Sequence, residues 1–92
     1  MSVIKIERQH DLGRDAACER VEAIAQKLQQ ELDAEYHWEG DTLKFSRSGA
    51  SGHIVVSESD LRVEIQLGML LSALKGKITQ SLNEHLDSEL NA

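Results

Sequence analysis

Between Tyr36 and Leu67 the apolar side chains recur at every second position. Leu43/Phe45, Ile54/Val56 and Leu61/Val63/Ile65/Leu67 alternate with polar residues, the period of strands with one buried face. Turn-forming residues separate the runs: Gly40-Asp41, Ser48-Gly49-Ala50 and the cluster from Ser57 to Asp60. The pattern predicts four short strands, at about Tyr36–Glu39, Thr42–Arg47, Gly52–Ser57 and Leu61–Leu67. Connections this tight join antiparallel neighbours. Such a meander has one apolar face and one wet face, so another part of the chain must cover the apolar side.

Two flanking regions supply that cover. Ser2 to Gln9 alternates as a further strand, with Ile4 and Ile6 on one face and Lys5 and Glu7 on the other. The Asp11-Leu12-Gly13 turn then leads into a helix from about Asp15 to Leu32, with Asp11 or Asp15 as its expected cap. Ala17, Val21, Ile24, Ala25, Leu28 and Leu32 form its apolar stripe, with Cys18 beside it. Glu19, Glu22, Gln26 and Gln30 are expected on the opposite, solvated side. From Met69 the period becomes helical: Leu70, Leu74, Ile78, Leu82, Leu86 and Leu90 are spaced by four, with Leu71 adjacent. Gly76 interrupts this run and is read as a break or bend, since an interior Gly costs about 1 kcal/mol relative to Ala. Residues 88–92 are expected to fray.

The fold class that follows is α+β, in the order β-α-β-β-β-β-α, as a single domain over residues 1–92. Its antiparallel sheet carries two helices packed on one face. Ile4, Ile6, Leu43, Phe45, Ile54, Val56, Val63 and Ile65 would face the helices. Lys5, Glu7, Lys44, Ser46, His53, Arg62, Glu64 and Gln66 would face away. The order is similar to a shortened helix-grip arrangement, in which a curved sheet wraps a long C-terminal helix over a pocket.

Charge and size narrow the function classes. A net charge of -6, with ten scattered Lys and Arg, argues against a phosphate-backbone binder and predicts no nucleic-acid partner. Cys18 is the single cysteine, so no internal disulfide forms, which fits a reducing compartment. The MSVIKIERQH start lacks the pattern of a secretory signal. No apolar run approaches the roughly 20 residues of a membrane span. A cytoplasmic location is the resulting expectation. Ninety-two residues with three aromatics make a small core, for which self-association is a natural supplement.

Candidate chemistry is sparse. His37 and His53 lie on strands and share the polar face with Glu39 and Glu64, but no His-x-x-x-His or Cys-x-x-Cys spacing is present. Cys18 has no evident base beside it and reads as a small core thiol. Glu58/Asp60 and Glu39/Asp41 read as turn residues, not as an acid/base pair in a dry cleft. The Gly-rich turn at Ser48–Gly52 joins antiparallel strands instead of opening a helix, unlike a phosphate loop. No catalytic, cofactor-binding or metal-ligating residue is therefore assigned. Trp38 is a core plug, a pocket wall or an interface anchor. The Leu67–Leu74 segment is apolar nearly all round, so it is either fully buried or offered to a partner. Trp38, Val55, Met69, Leu70 and Leu71 are the candidate interface or pocket residues, and Val3 accompanies Val55 on the otherwise polar sheet face.

Several of these residues together resemble a known family. Ile4-Lys5-Ile6, His10-x-Leu12-Gly13, Trp38-Glu39-Gly40-Asp41 with Leu43 and Phe45, Gly49 and Gly52, Leu61-Arg62-Val63-Glu64, and Leu67-Gly68 with Leu70, Leu71 and Leu74 are similar to the polyhydroxyalkanoic acid system family. Its members are small bacterial proteins linked to storage-granule genes. The resemblance rests on fold-forming residues and carries over no catalytic residue. It implies a non-enzymatic accessory or interaction protein without a cofactor, partnered by itself, by other polyhydroxyalkanoate-system proteins or by the granule surface. The alternative is a small helix-grip carrier or enzyme for a hydrophobic ligand, with a pocket between sheet and C-terminal helix.

The histidine spacing makes one direct prediction. A chelator should leave the melting temperature unchanged, and stoichiometric zinc in the purified protein would contradict it.

Overall fold

Gly40 and Gly49 take positive φ values of 59° and 85°, so the pairs Gly40-Asp41 and Ser48-Gly49 close two-residue hairpins that L-side chains would strain. The computed structural model describes residues 2–90. Its strands are β1 (Ser2–Gln9), β2 (Glu35–Glu39), β3 (Thr42–Arg47), β4 (Ala50–Val56) and β5 (Asp60–Leu67), and its helices α1 (Gly13–Leu32), α2 (Met69–Ser72) and α3 (Lys75–Leu90). The five strands form one sheet in the order β1-β5-β4-β3-β2, antiparallel throughout. The meander expected from residues 36–67 is present, and β1 closes it by pairing with β5.

The pairing register stacks side chains into cross-strand rows. Ile6, Val63, Ile54, Leu43 and Trp38 make one row on the helix-facing side, and Ile4, Ile65, Gly52, Phe45 and Tyr36 make the next. On the opposite face run Lys5, Glu64, His53, Lys44 and His37. The two sets match the expected inner and outer faces, with Leu61 and Leu67 added to the buried set. Arg8 follows Ile4 and Ile6 on the inner side. Its guanidinium reaches α3, pairing with Asp87 and donating to the side-chain Oδ1 of Asn83 at 2.7 Å.

The helix starts differ from expectation. Neither Asp11 nor Asp15 caps α1: the capping position is Leu12, with no side-chain cap bond. His10 does part of that work. Its Nδ1 accepts from the Leu12 N–H at 3.2 Å, and its Nε2 lies 3.2 Å from the Asp60 carbonyl. A ring protonated at Nε2 alone satisfies both contacts. Asp33 ends α1 in the left-handed region, its N–H bonded to the Gln29 carbonyl at 3.0 Å.

After β5 the chain does break, but not at Gly76. The interruption falls at Ala73-Leu74, while Gly76 sits inside the first turn of α3 with open space where a Cβ would be. The Gly68 N–H bonds to the Gly49 carbonyl at 2.7 Å, pinning the start of α2 to the β3–β4 turn. A tight Leu74 N–H to Leu71 carbonyl bond then redirects the chain into α3. Residues 88–90, expected to fray, are helical. Residues 91–92 lie outside the described residues.

Both long helices lie on the apolar sheet face and share one core with it. Ala17, Val21, Ile24, Ala25 and Leu28 from α1 meet Leu82 and Leu86 from α3 over the inner residues of the sheet. The helices run antiparallel, as their polar contacts show. Lys27 pairs with Glu89 at 3.0 Å, and Glu31, one turn further along α1, meets His85, one turn earlier on α3, at 3.1 Å. Leu70 and Leu74 do not extend the α3 stripe, because the helix is interrupted at Ala73-Leu74. They are exposed.

This register can be tested at adjacent positions. Val63 is 2% exposed and belongs to the core shared with the helices, whereas Glu64 lies on the polar face. Val63→Asp should unfold the protein, since an unpaired buried charge costs on the order of 4 kcal/mol or more. Glu64→Ala should shift the melting temperature little. Equal melting temperatures for the two variants would place the register one residue out.

Candidate functional site

Helix cover runs out where α1 ends and α3 begins, and a groove of about 330 Å3 opens there. Leu28, Ala34, Ile65, Leu67 and Leu82 are its buried floor. Half-buried Phe45, Leu71 and Ile78 form its walls, and the exposed Arg47, Leu74 and Lys77 its rim. Gly52 is needed for this shape. A Cβ there would stand 2.8 Å from the Phe45 ring and 2.6 Å from the Glu64 carbonyl, so only glycine lets Phe45 lie across the sheet at that point.

The short helix α2 forms one side of the groove and has no buried residue. Leu71 turns inward against Gly49, where a Cβ would stand 3.3 Å from Leu71 Cδ1. Met69 and Leu70 point the other way and are 84% and 91% exposed. Of the five candidate interface or pocket residues, the structure brings Met69, Leu70 and Leu71 together on this one turn. Trp38 lies elsewhere, on edge strand β2, and does not line the groove. Val55 is half-buried on the polar face between Arg62 and Thr42. Val3 lies on β1, two rows away, so these two valines form no joint patch.

Trp38 belongs instead to a polar clamp centred on Glu22. Tyr36 Oη donates to Glu22 Oε2 at 2.6 Å, and Trp38 Nε1 donates to Oε1 at 2.9 Å. Gln26 adds a third bond at 3.1 Å. The Tyr36 bond, with help from those of Trp38 and Gln26, outweighs burial and holds the Glu22 carboxyl below its ordinary range. The same bond raises the Tyr36 phenol. Glu22 therefore leaves the solvated side of α1, where helical spacing alone places it. The overlooked signal was Tyr36 and Trp38 themselves: two half-buried aromatics two residues apart carry polar tips that need a partner on the covering helix.

Other titratable groups have local partners. Ser81 and His85 both contact Glu31, at 3.5 and 3.1 Å, so the carboxylate sits between hydroxyl and imidazole. Nucleophilic catalysis requires the imidazole to touch the hydroxyl, and this order does not supply that. On the polar face His37 and His53 do share a row, but Lys44 stands between them. Glu39 binds His37 at 2.8 Å and Lys44 at 3.3 Å, which lowers its carboxyl, the histidine bond contributing most. Asp41 meets Arg14 at 3.4 Å. Cys18 is half-buried against the core, and burial raises its thiol above the usual value. Among the described residues no group of three or more His, Cys, Asp or Glu could hold a metal ion. Among them, too, no helix is long and apolar enough to cross a membrane.

Comparison with protein families gives one identification. A family model described as a polyhydroxyalkanoic acid system protein matches residues 4–90 of the 92. No curated protein and no solved structure matches the chain.

The Glu22 clamp should leave a signature in acid. Because the folded carboxyl is lowered, its contribution is fully present above the unfolded value of about 4.3. It is lost as pH falls through the lower folded value. Glu22→Gln should lower the melting temperature at pH 7 and flatten its fall between about pH 5 and pH 3. Parallel acid profiles for the variant and the parent would show that the clamp carries no linkage.

Proposed function

This chain belongs to the polyhydroxyalkanoic acid system protein family, and we propose that it works there by binding and not by catalysis. The exposed pair Met69 and Leu70 on α2 carries this reading. Large apolar side chains exposed together on one turn mark a surface for contact. In a polyester storage system the matching partner is the apolar surface of the polyhydroxyalkanoate granule, reached in the cytoplasm. Burying a Leu or Met side chain yields about 1.5–3 kcal/mol, so two of them support weak, reversible attachment. Away from such a surface the same turn pairs two copies of the chain, which makes self-association and attachment compete.

Beside the groove, Glu31 stands between Ser81 and His85, so this cluster does not activate the hydroxyl for attack. A second reading, a carrier of a small hydrophobic ligand, is favoured by the groove itself. That groove is open on its solvent side and lies between the sheet and α3.

Pelleting with amorphous polyhydroxyalkanoate particles tests the first reading. The parent protein should co-sediment, and Met69→Ser combined with Leu70→Ser should remain in the supernatant. Both residues are so exposed that the melting temperature should not change. Light scattering across a dilution series should show a concentration-dependent mass for the parent alone. Equal co-sedimentation of parent and variant would refute the role of α2.

A further inference from the structure

The groove beside α2 carries a charge pattern that its apolar floor does not explain. The chain as a whole is acidic, at -6. Yet the groove is edged by two cations, Arg47 and Lys77, against one carboxylate, Glu31. Glu31 is already engaged by His85 at 3.1 Å and by Ser81. Arg47 donates from Nη1 to the Leu32 carbonyl and from Nε to the Ser48 carbonyl, each at 3.1 Å. Those bonds fix the guanidinium in place without neutralising it. Among the described residues neither Arg47 nor Lys77 has an ion-pair partner.

The dimensions limit what can enter. At roughly 30 Å3 for a group the size of a water molecule, about ten methylene-sized groups fill the slot of about 330 Å3. An alkyl chain of that size meets an apolar floor of Ile65, Leu67 and Leu82. Entry requires little rearrangement, since α2 buries no residue of its own and is held mainly by Leu71 and the Gly68–Gly49 bond.

We propose that this groove binds a single medium-length aliphatic chain ending in a carboxylate, a free alkanoic or hydroxyalkanoic acid. The tail lies on the apolar floor, and Arg47 and Lys77 take the carboxylate. The site uses the inward side of the α2 region, whereas attachment to a polyester surface uses the outward side, so the two can fail separately.

Decanoate below its micellar concentration is the probe, followed by amide chemical shifts of the labelled protein. Saturable shifts should centre on Ala34, Ala50, Leu71 and Ile78. Lys77→Glu should weaken decanoate binding by up to about fivefold, the scale of one exposed ion pair. Decanol should bind more weakly than decanoate and be insensitive to Lys77→Glu, and butanoate should not saturate. Ser81→Phe should fill the slot and abolish binding. Equal decanoate affinity in the parent and Lys77→Glu would overturn the proposal, as would shifts centred on the polar sheet face. So would shifts at Ala34, Ala50 and Ile78 on dilution without decanoate, away from the α2 turn through which copies pair, since they would mean that a second copy occupies the slot. Retained decanoate binding in the Met69→Ser/Leu70→Ser variant would confirm that this site is separate from surface attachment. Particle attachment by a parent protein that does not bind decanoate would defeat this inference alone.

Discussion

One apolar sheet face has to be covered by the helices of a short chain, and the rest of the molecule depends on how far that cover reaches. The rows running from Ile6 to Trp38 and from Ile4 to Tyr36 cross all five strands. Each buried aliphatic in them contributes about 1.5–3 kcal/mol relative to exposure, so leaving the face open is not tolerable. Helices α1 and α3 lie side by side over most of it. At the end where α1 stops and α3 has not begun, the cover is a single turn, α2. The groove and the exposed Met69-Leu70 pair are both products of that shortfall.

The location of the break follows from competing demands on the segment after β5. A continuous helix from Met69 would align Leu70 and Leu74 with Ile78, Leu82 and Leu86, as their spacing by four suggests. That helix would have to leave the sheet in one direction, however, and Gly68 is tied to Gly49 across the β3–β4 turn. The tie orients α2 towards the hairpin, while the core draws Leu82 and Leu86 over α1. The chain meets both demands by turning at Ala73-Leu74. Two leucines lose their place in the stripe as a result, one pointing fully into solvent.

Strand periodicity made most of the fold legible in the sequence. The period is two, the turns carry glycine where φ is positive, and the apolar sets of β3, β4 and β5 fall on one face, with Val55 the exception. The α1 stripe was equally plain, because Ala17, Val21, Ile24, Ala25 and Leu28 obey one helical period and all are buried. Features that depend on approach between distant elements were not legible. His10 replaces Asp11 or Asp15 at the start of α1 only because β5 brings the Asp60 carbonyl beside it. Glu22 becomes the acceptor for Tyr36 and Trp38 only because β2 packs under that part of α1. Gly76 has the look of a break because local propensity disfavours it, but an exposed first-turn position tolerates glycine at low cost.

The groove shows why the candidate site was only half visible. Leu67–Leu74 could be marked as over-apolar from sequence, and the structure puts Leu67 on the floor, Leu71 on a wall and Leu74 on the rim. The cations come from elsewhere: Arg47 from the end of β3, and Lys77 from the first turn of α3. Nothing in the spacing of residues 47 and 77 signals that they share a cavity. They meet because the β3–β4 hairpin folds back onto α2, and because Phe45 can lie across the sheet at Gly52. A side chain at position 52 would collide with the Phe45 ring and with the Glu64 backbone. The absence of one methyl group in β4 thus lets Phe45 lie as a wall of the groove that the two cations edge.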